Sequence, residues 1–223
     1  MKKAILFILI LQSLVSIQAQ TGTPIYSITD GKISVDASKW VEPFYQGYDI
    51  SKNTYSCQSN TQRTIGVSQY AIETGVLNDF DEIGENGFNV ISIYKKEEKI
   101  LEIRQSGFWT FTYGGGSEID YRKYTSNRYF IPLISEEGTM ALAFVGWPYG
   151  GDLPLLTIIV ITEKDAKMVF NKNVDISEIK QKDGESEIKI KTLLEEYDSC
   201  GKLCVAPTYA TMIAKDGVLY WKE

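Results

Sequence analysis

From Phe88 onward the apolar positions recur with a period of two, broken every few residues by polar or glycine-rich stretches. That is the pattern of β-strands joined by short turns. Asn89–Tyr94 and Ile100–Gln105 read as a strand pair joined by the hydrophilic KKEEK. Phe108–Tyr113 reads as a third strand, ended by Gly114-Gly115-Gly116. Tyr129–Ile134 and Thr139–Trp147 form the next pair. In the second of these, Met140, Leu142 and Phe144 face one way and Ala141, Ala143 and Val145 the other, which predicts a strand covered on both sides. Leu155–Ile161 is apolar on both faces as well, and Met168–Phe170 is expected to pair with it. Glu187–Leu193 alternates cleanly, with Ile188 and Ile190 inward and Lys189 and Lys191 outward, as in a half-exposed or edge strand. The chain closes on Tyr209–Ala214 and Val218–Trp221 around Asp216-Gly217, a dipeptide suited to the type I′ turn because both of its central residues take positive φ.

Upstream the pattern is weaker. Residues 20–60 are polar and turn-rich with one short strand at Ile33 and Val35, and TIGVSQYAIETGVL fits a strand pair or a short helix equally. The reading is therefore an all-β domain over residues 21–223, with its antiparallel core at 88–223 and a less defined part at 21–87. A β-sandwich is the expected architecture, and a partial propeller-like stack of about four or five blades is the alternative.

Residues 1–20 have the form of a bacterial export signal: Lys2 and Lys3, then the apolar run Ala4–Val15, then a small residue at Ala19. The run is shorter than the roughly 20 residues a membrane span needs. The expected location is periplasmic or secreted. The leader holds two of the 23 basic residues and none of the 29 acidic ones, so the exported chain carries 21 against 29, a net charge of −8. Such a surface repels phosphate backbones, and nucleic acid is not an expected partner.

Histidine is absent from the chain. That removes Ser-His-Asp and Cys-His catalysis in their usual form and the common His-ligated zinc sites. The three cysteines are Cys57, Cys200 and Cys204. In an oxidising compartment Cys200 and Cys204 are expected to staple a strand-to-strand loop as a disulfide, with a bridge from Cys57 to one of them as the alternative; their C-x-x-x-C spacing is not that of a redox motif.

The remaining chemistry is sparse. Asp79, Asp81 and Gly84 match positions one, three and six of a calcium loop, but Ile83 and Val90 stand where oxygen ligands belong; a solvated turn is expected there, and no metal or cofactor. The triple glycine lacks the Lys-Ser/Thr of a phosphate cradle. No pattern selects two of the many carboxylates as a glycosidase pair. Aromatic residues at strand ends and turns are the better candidates: Trp109 and Tyr113 before the triple glycine, Trp147 and Tyr149 around Pro148. Flat rings at such positions stack on sugars or anchor proteins. The expected function is non-catalytic binding of an envelope protein or glycan, with a carboxylate-based polysaccharide hydrolase as the alternative.

Overall fold

A computed structural model describes residues 22–44, 49–78, 87–110, 123, 125–136, 138–147, 153–182, 185–193, 196–197 and 199–223. Residues 1–20, which have the form of an export signal, lie outside these residues. The protein is nearly all β, its sheets antiparallel and arranged as a sandwich.

One sheet has five strands: β1 (Thr23–Pro24), β12 (Asp175–Lys182), β13 (Glu185–Leu193), β16 (Thr208–Lys215) and β17 (Val218–Lys222), in the order β1-β17-β16-β13-β12. The other has eight: β4 (Tyr55–Ile65), β5 (Ser68–Leu77), β6 (Gly87–Lys95), β7 (Glu98–Thr110), β8 (Ile131–Glu136), β9 (Thr139–Trp147), β10 (Leu155–Thr162) and β11 (Ala166–Asn173). They run β11-β10-β9-β7-β6-β5-β4, with β8 also on β9. A hairpin of β2 (Tyr26–Thr29) and β3 (Lys32–Val35), a one-turn helix α1 (Ala37–Trp40), and a small pair β14 (Glu196–Tyr197) and β15 (Leu203–Val205) complete the described elements.

The two-faced strands explain the architecture. Ala141, Ala143 and Val145 of β9, with Leu156, Ile158 and Val160 of β10, pack toward Ile176, Ile188, Ile190, Met212 and Leu219 of the five-stranded sheet. The opposite faces, Met140, Leu142 and Phe144 with Ile159 and Ile161, enter a second core. That core is closed by Ile72 of β5, Phe88, Ile91 and Ile93 of β6, and Trp109 of β7. Strands β9 and β10 are thus a wall between two cores, as their alternation predicts. A strand shielded on both sides needs apolar residues at every position.

To supply the second cover the eight-stranded sheet curls over itself without closing into a barrel. The β4–β5 hairpin tip lands on the β10–β11 turn. Val67 N–H and Lys95 Nζ donate to Glu163 at 2.8 and 2.6 Å, and Tyr70 Oη donates to the Thr162 carbonyl at 2.6 Å. Gly66 (φ +57°) forms that tip, where a Cβ would collide with the Glu163 side chain.

Four elements settle or change the expected reading. The stretch at 64–77, which fitted a strand pair or a short helix, is the strand pair. Ile100–Gln105 and the start of the next expected strand are one strand, β7, which absorbs Gln105–Phe108 as a bulge opposite Asn89; Ser106 and Gly107 within it are buried. The strand carrying Lys189 and Lys191 is internal, between β12 and β16, and only its outer face is exposed. In the N-terminal part, Asp30-Gly31 (φ 52° and 74°) makes the same kind of turn as Asp216-Gly217 (φ 51° and 73°), so the one short strand expected there is a hairpin. Tyr26, at the open end of that hairpin opposite Val35, ties it to the second turn, its Oη donating to the Gly217 carbonyl at 2.9 Å. Burial, with the Glu136 charge adding to it, pushes the Tyr26 phenol well above its ordinary range, so it is a donor at any physiological pH.

Candidate functional site

Of the aromatic residues expected to bind ligand, Trp109 and Trp147 are among the described residues. Trp109 is fully buried. Its ring stacks on Phe88 at 5.8 Å, meets Phe44 edge-on at 5.7 Å, and its Nε1–H donates to Thr157 Oγ1 at 3.0 Å. It is a core residue and not a surface platform, because alternation along β7 turns it inward beside Phe144. Trp147 is half-buried at the end of β9, paired with Phe108. Tyr113 and Tyr149 lie outside the described residues, as do the triple glycine and the acidic loop at 79–86.

The expected Cys200–Cys204 disulfide is also corrected. Cys57, Cys200 and Cys204 are exposed, and no disulfide joins any pair of them. Cys200 sits in a turn, whereas Cys204 lies on β15 with its Sγ directed to the Lys202 carbonyl at 3.5 Å. Among the described residues no group of three Cys, Asp or Glu side chains is placed to hold a metal, and no helix is long and apolar enough to cross a membrane.

A concave site does form at one end of the sandwich, between the two sheets. Its cavity measures about 460 Å³. Trp221 of β17 lies on the inward face, in register with Met212. Its ring stacks on Phe170 at 5.7 Å and an interplanar angle of 29°, and tilts against Trp40 at 5.7 Å. Two buried aromatics thus fix the ring of a half-buried one. Above it, the sheets offer polar groups. Thr192 and Thr208 lie 2.8 Å apart through their hydroxyls. Asn173 and Lys172 come from the end of β11, and Glu42 from the segment after α1.

Glu42 is placed by backbone. Its N–H donates to the Asn171 carbonyl at 2.9 Å, and its own carbonyl accepts from Asn171 Nδ2 at 2.7 Å. Asn171 is itself held by Thr157, whose hydroxyl donates to Asn171 Oδ1 at 2.7 Å. A buried relay therefore runs from Trp109 through Thr157 and Asn171 to the edge of the cleft. The Glu42 carboxylate lies 3.6 Å from Lys172 Nζ, and its side chain is 59% exposed. Glu223, the other carboxylate lining the cavity, is exposed too. Lys172 Nζ is also 5.9 Å from the Trp40 ring. Tyr209, 42% exposed, stands at the rim with Lys189 Nζ 4.1 Å from its ring.

This arrangement offers one aromatic face, several hydroxyl, amide and charged hydrogen-bonding groups, and an opening to water. General acid–base hydrolysis asks for something else, a pair of carboxylates whose environments drive their protonation apart; Glu42 is solvated and ion-paired. Sequence reasoning missed Trp221, Thr192, Thr208, Glu42 and Lys172, which come from five separate segments. The one available signal was Leu219 and Trp221 sharing a strand face, which puts an indole where the apolar core meets the strand end. Comparison with protein-family models, curated proteins and solved structures returns no match.

Proposed function

We propose that this is an exported, non-catalytic binding protein of the bacterial cell envelope that takes a short saccharide at the open end of its sandwich. One observation carries the reading: the Trp221 ring, fixed by Phe170 and Trp40, lines an open cavity of about 460 Å³ rimmed by threonine hydroxyls, Asn173 and the Glu42–Lys172 pair. Few-residue polar recognition around an apolar surface is the usual make-up of a small-ligand site. A pyranose presents an apolar C–H face for the indole and a ring of hydroxyls for the rim. The solvated state of Glu42 favours binding over hydrolysis. The leader-like residues 1–20 support export.

The test is titration of the purified protein with envelope oligosaccharides, muropeptides and O-antigen fragments included, followed by tryptophan fluorescence and calorimetry. Saturable binding that Trp221→Leu abolishes, with the melting transition still cooperative, is the expected result. Absence of saturation by every oligosaccharide overturns the saccharide reading. Release of new reducing ends overturns the non-catalytic one.

A further inference from the structure

The cleft proposed above for a saccharide has a charge preference of its own. Its lining holds two carboxylates, Glu42 and Glu223, against one ammonium, Lys172. Lys172 Nζ stands 3.6 Å from Glu42 Oε1, too far for a hydrogen bond. Among the described residues no donor bonds either carboxylate. A carboxylate only accepts, with about four lone-pair sites on its two oxygens, so both keep their capacity for a ligand's N–H groups. The chain as a whole is acidic, with a formal net charge of −6, and its field favours a cation over an anion.

The rings around the cleft already draw ammonium groups. Lys39 Nζ lies 4.6 Å and Lys172 Nζ 5.9 Å from the Trp40 ring centroid, and Lys189 Nζ lies 4.1 Å from that of Tyr209. An aromatic face is the negative side of the ring's quadrupole, and indole attracts a cation more strongly than phenol or benzene does. Trp221 lines the cavity and is tilted against Trp40 at 5.7 Å. Among the described residues no lysine or arginine stands over it. It is therefore an indole left for a ligand's cation, in the same cavity as both carboxylates.

We propose that the saccharide taken by this cleft carries a free, protonated amino group, as a 2-amino-2-deoxy sugar does, and that the N-acetylated counterpart is the poorer ligand. The assignment rests on the saccharide reading above and narrows it. The ammonium is held by the Trp221 ring and by Glu42 or Glu223, while the sugar hydroxyls face Thr192, Thr208 and Asn173. N-acetylation removes the charge, and with it both attractions. One cation–π contact and one solvated ion pair together amount to about tenfold in affinity. Lys172 works against this ligand, because it already stands beside the Glu42 carboxylate.

Calorimetric titration with the β-1,4-linked trisaccharide of glucosamine, and with its fully N-acetylated counterpart, tests the assignment. At about pH 6 such an amine is protonated and the carboxylates are ionised. The glucosamine trisaccharide is expected to bind about tenfold more tightly at low salt, with the preference shrinking as salt is raised. Glu42→Gln and Glu223→Gln each weaken it about threefold or leave the loss to the double variant, and Lys172→Gln tightens it about threefold. None of the three changes affinity for the N-acetylated form. All three side chains are at least partly exposed, so the variants keep the cooperative melting of the parent. Equal affinities, or tighter binding of the N-acetylated form, overturn the amine assignment and leave the saccharide reading standing. A preference for the amine that survives the double carboxylate variant overturns the role given to Glu42 and Glu223. Absence of saturable binding by any saccharide overturns both readings.

Discussion

The Trp109 indole N–H and the Thr157 hydroxyl are hydrogen-bonded at 3.0 Å with both residues fully buried. Thr157 passes the bond on, donating to Asn171 Oδ1 at 2.7 Å. The hydroxyl is thus acceptor for one core and donor toward the other, through a strand that is apolar at nearly every other position. Thr157→Val keeps the side-chain shape but leaves the indole donor and the Asn171 acceptor without this partner. Each lost partner costs roughly 1–3 kcal/mol, so the variant should lose about 2–5 kcal/mol in urea denaturation. Adding Trp109→Phe removes the stranded donor, and the double variant should lose less than the sum of the two single changes. Additive losses would mean the bond contributes nothing.

Gly146 sets how closely β7 approaches β9. A Cβ there would stand 2.6 Å from Trp109 Cα and nearer still to the Phe108 carbonyl oxygen. Both are backbone atoms that no rotamer change can move. The β7–β9 pairing consists of Phe108↔Trp147 and Trp109↔Gly146, so the clash falls on the contact that closes the second core. Gly146→Ala should cost about 3 kcal/mol or more, read from the denaturation midpoint. Gly138, with nothing within 4 Å of its Cβ position but φ +83°, should lose only about 1 kcal/mol on the same change through backbone strain.

Those two sites also show what the residue pattern does and does not reveal. The double burial of β9 and β10 was legible because each face of each strand is written as its own apolar set. The Asp216-Gly217 hairpin was legible because turn chemistry is local. The curl of the large sheet was not: it depends on Gly146 admitting β7 and on Glu163 receiving the distant tip at Gly66 and Val67, which are contacts between remote segments. Strand β12 escaped notice because its apolar period is broken at the bulge between Ile176 and Glu178. The cleft was least legible of all. Threonine, asparagine and glutamate at strand ends carry no signal of their own, and Trp109, the aromatic residue that did stand out, was drawn inward by its strand's alternation.

Cys57 offers a chemical check on its surroundings. Partial burial raises its thiol above the ordinary value and the nearby Glu73 charge raises it further, against a smaller lowering from its bond to the Ser59 carbonyl. Less thiolate is present near neutral pH, so alkylation should be slower than for a model thiol. Glu73→Gln removes the charge while its carbonyl can still accept from Asn60 Nδ2, which now lies 2.8 Å from Glu73 Oε1. Peptide-level mass spectrometry should then show faster modification of Cys57. An unchanged rate would assign the raised value to burial alone.

Glu102 sets an acid limit on the outer face of the β6–β7 hairpin. Burial works to raise its carboxyl, but hydrogen bonds and charge from Lys99 and Arg104 overcome it and hold the group below the ordinary glutamate value of 4.5. Arg104 Nε reaches Glu102 at 2.8 Å, while its Nη1 donates to the carbonyls of Ile50 at 3.1 Å and Asn53 at 2.5 Å. The carboxylate therefore anchors the arginine that pins the 50–53 turn to β7. Because the folded state binds this proton less readily than the unfolded chain, the stabilisation is present in full above about pH 4.5 and is lost as pH falls through the lowered folded value. Denaturation midpoints measured from pH 7 downward should decline in that acid window. Glu102→Gln should start from a lower stability at pH 7 and show a shallower decline, since the titrating group is gone. Parallel curves for the two proteins would place the acid sensitivity on other carboxylates and remove Glu102 from the account.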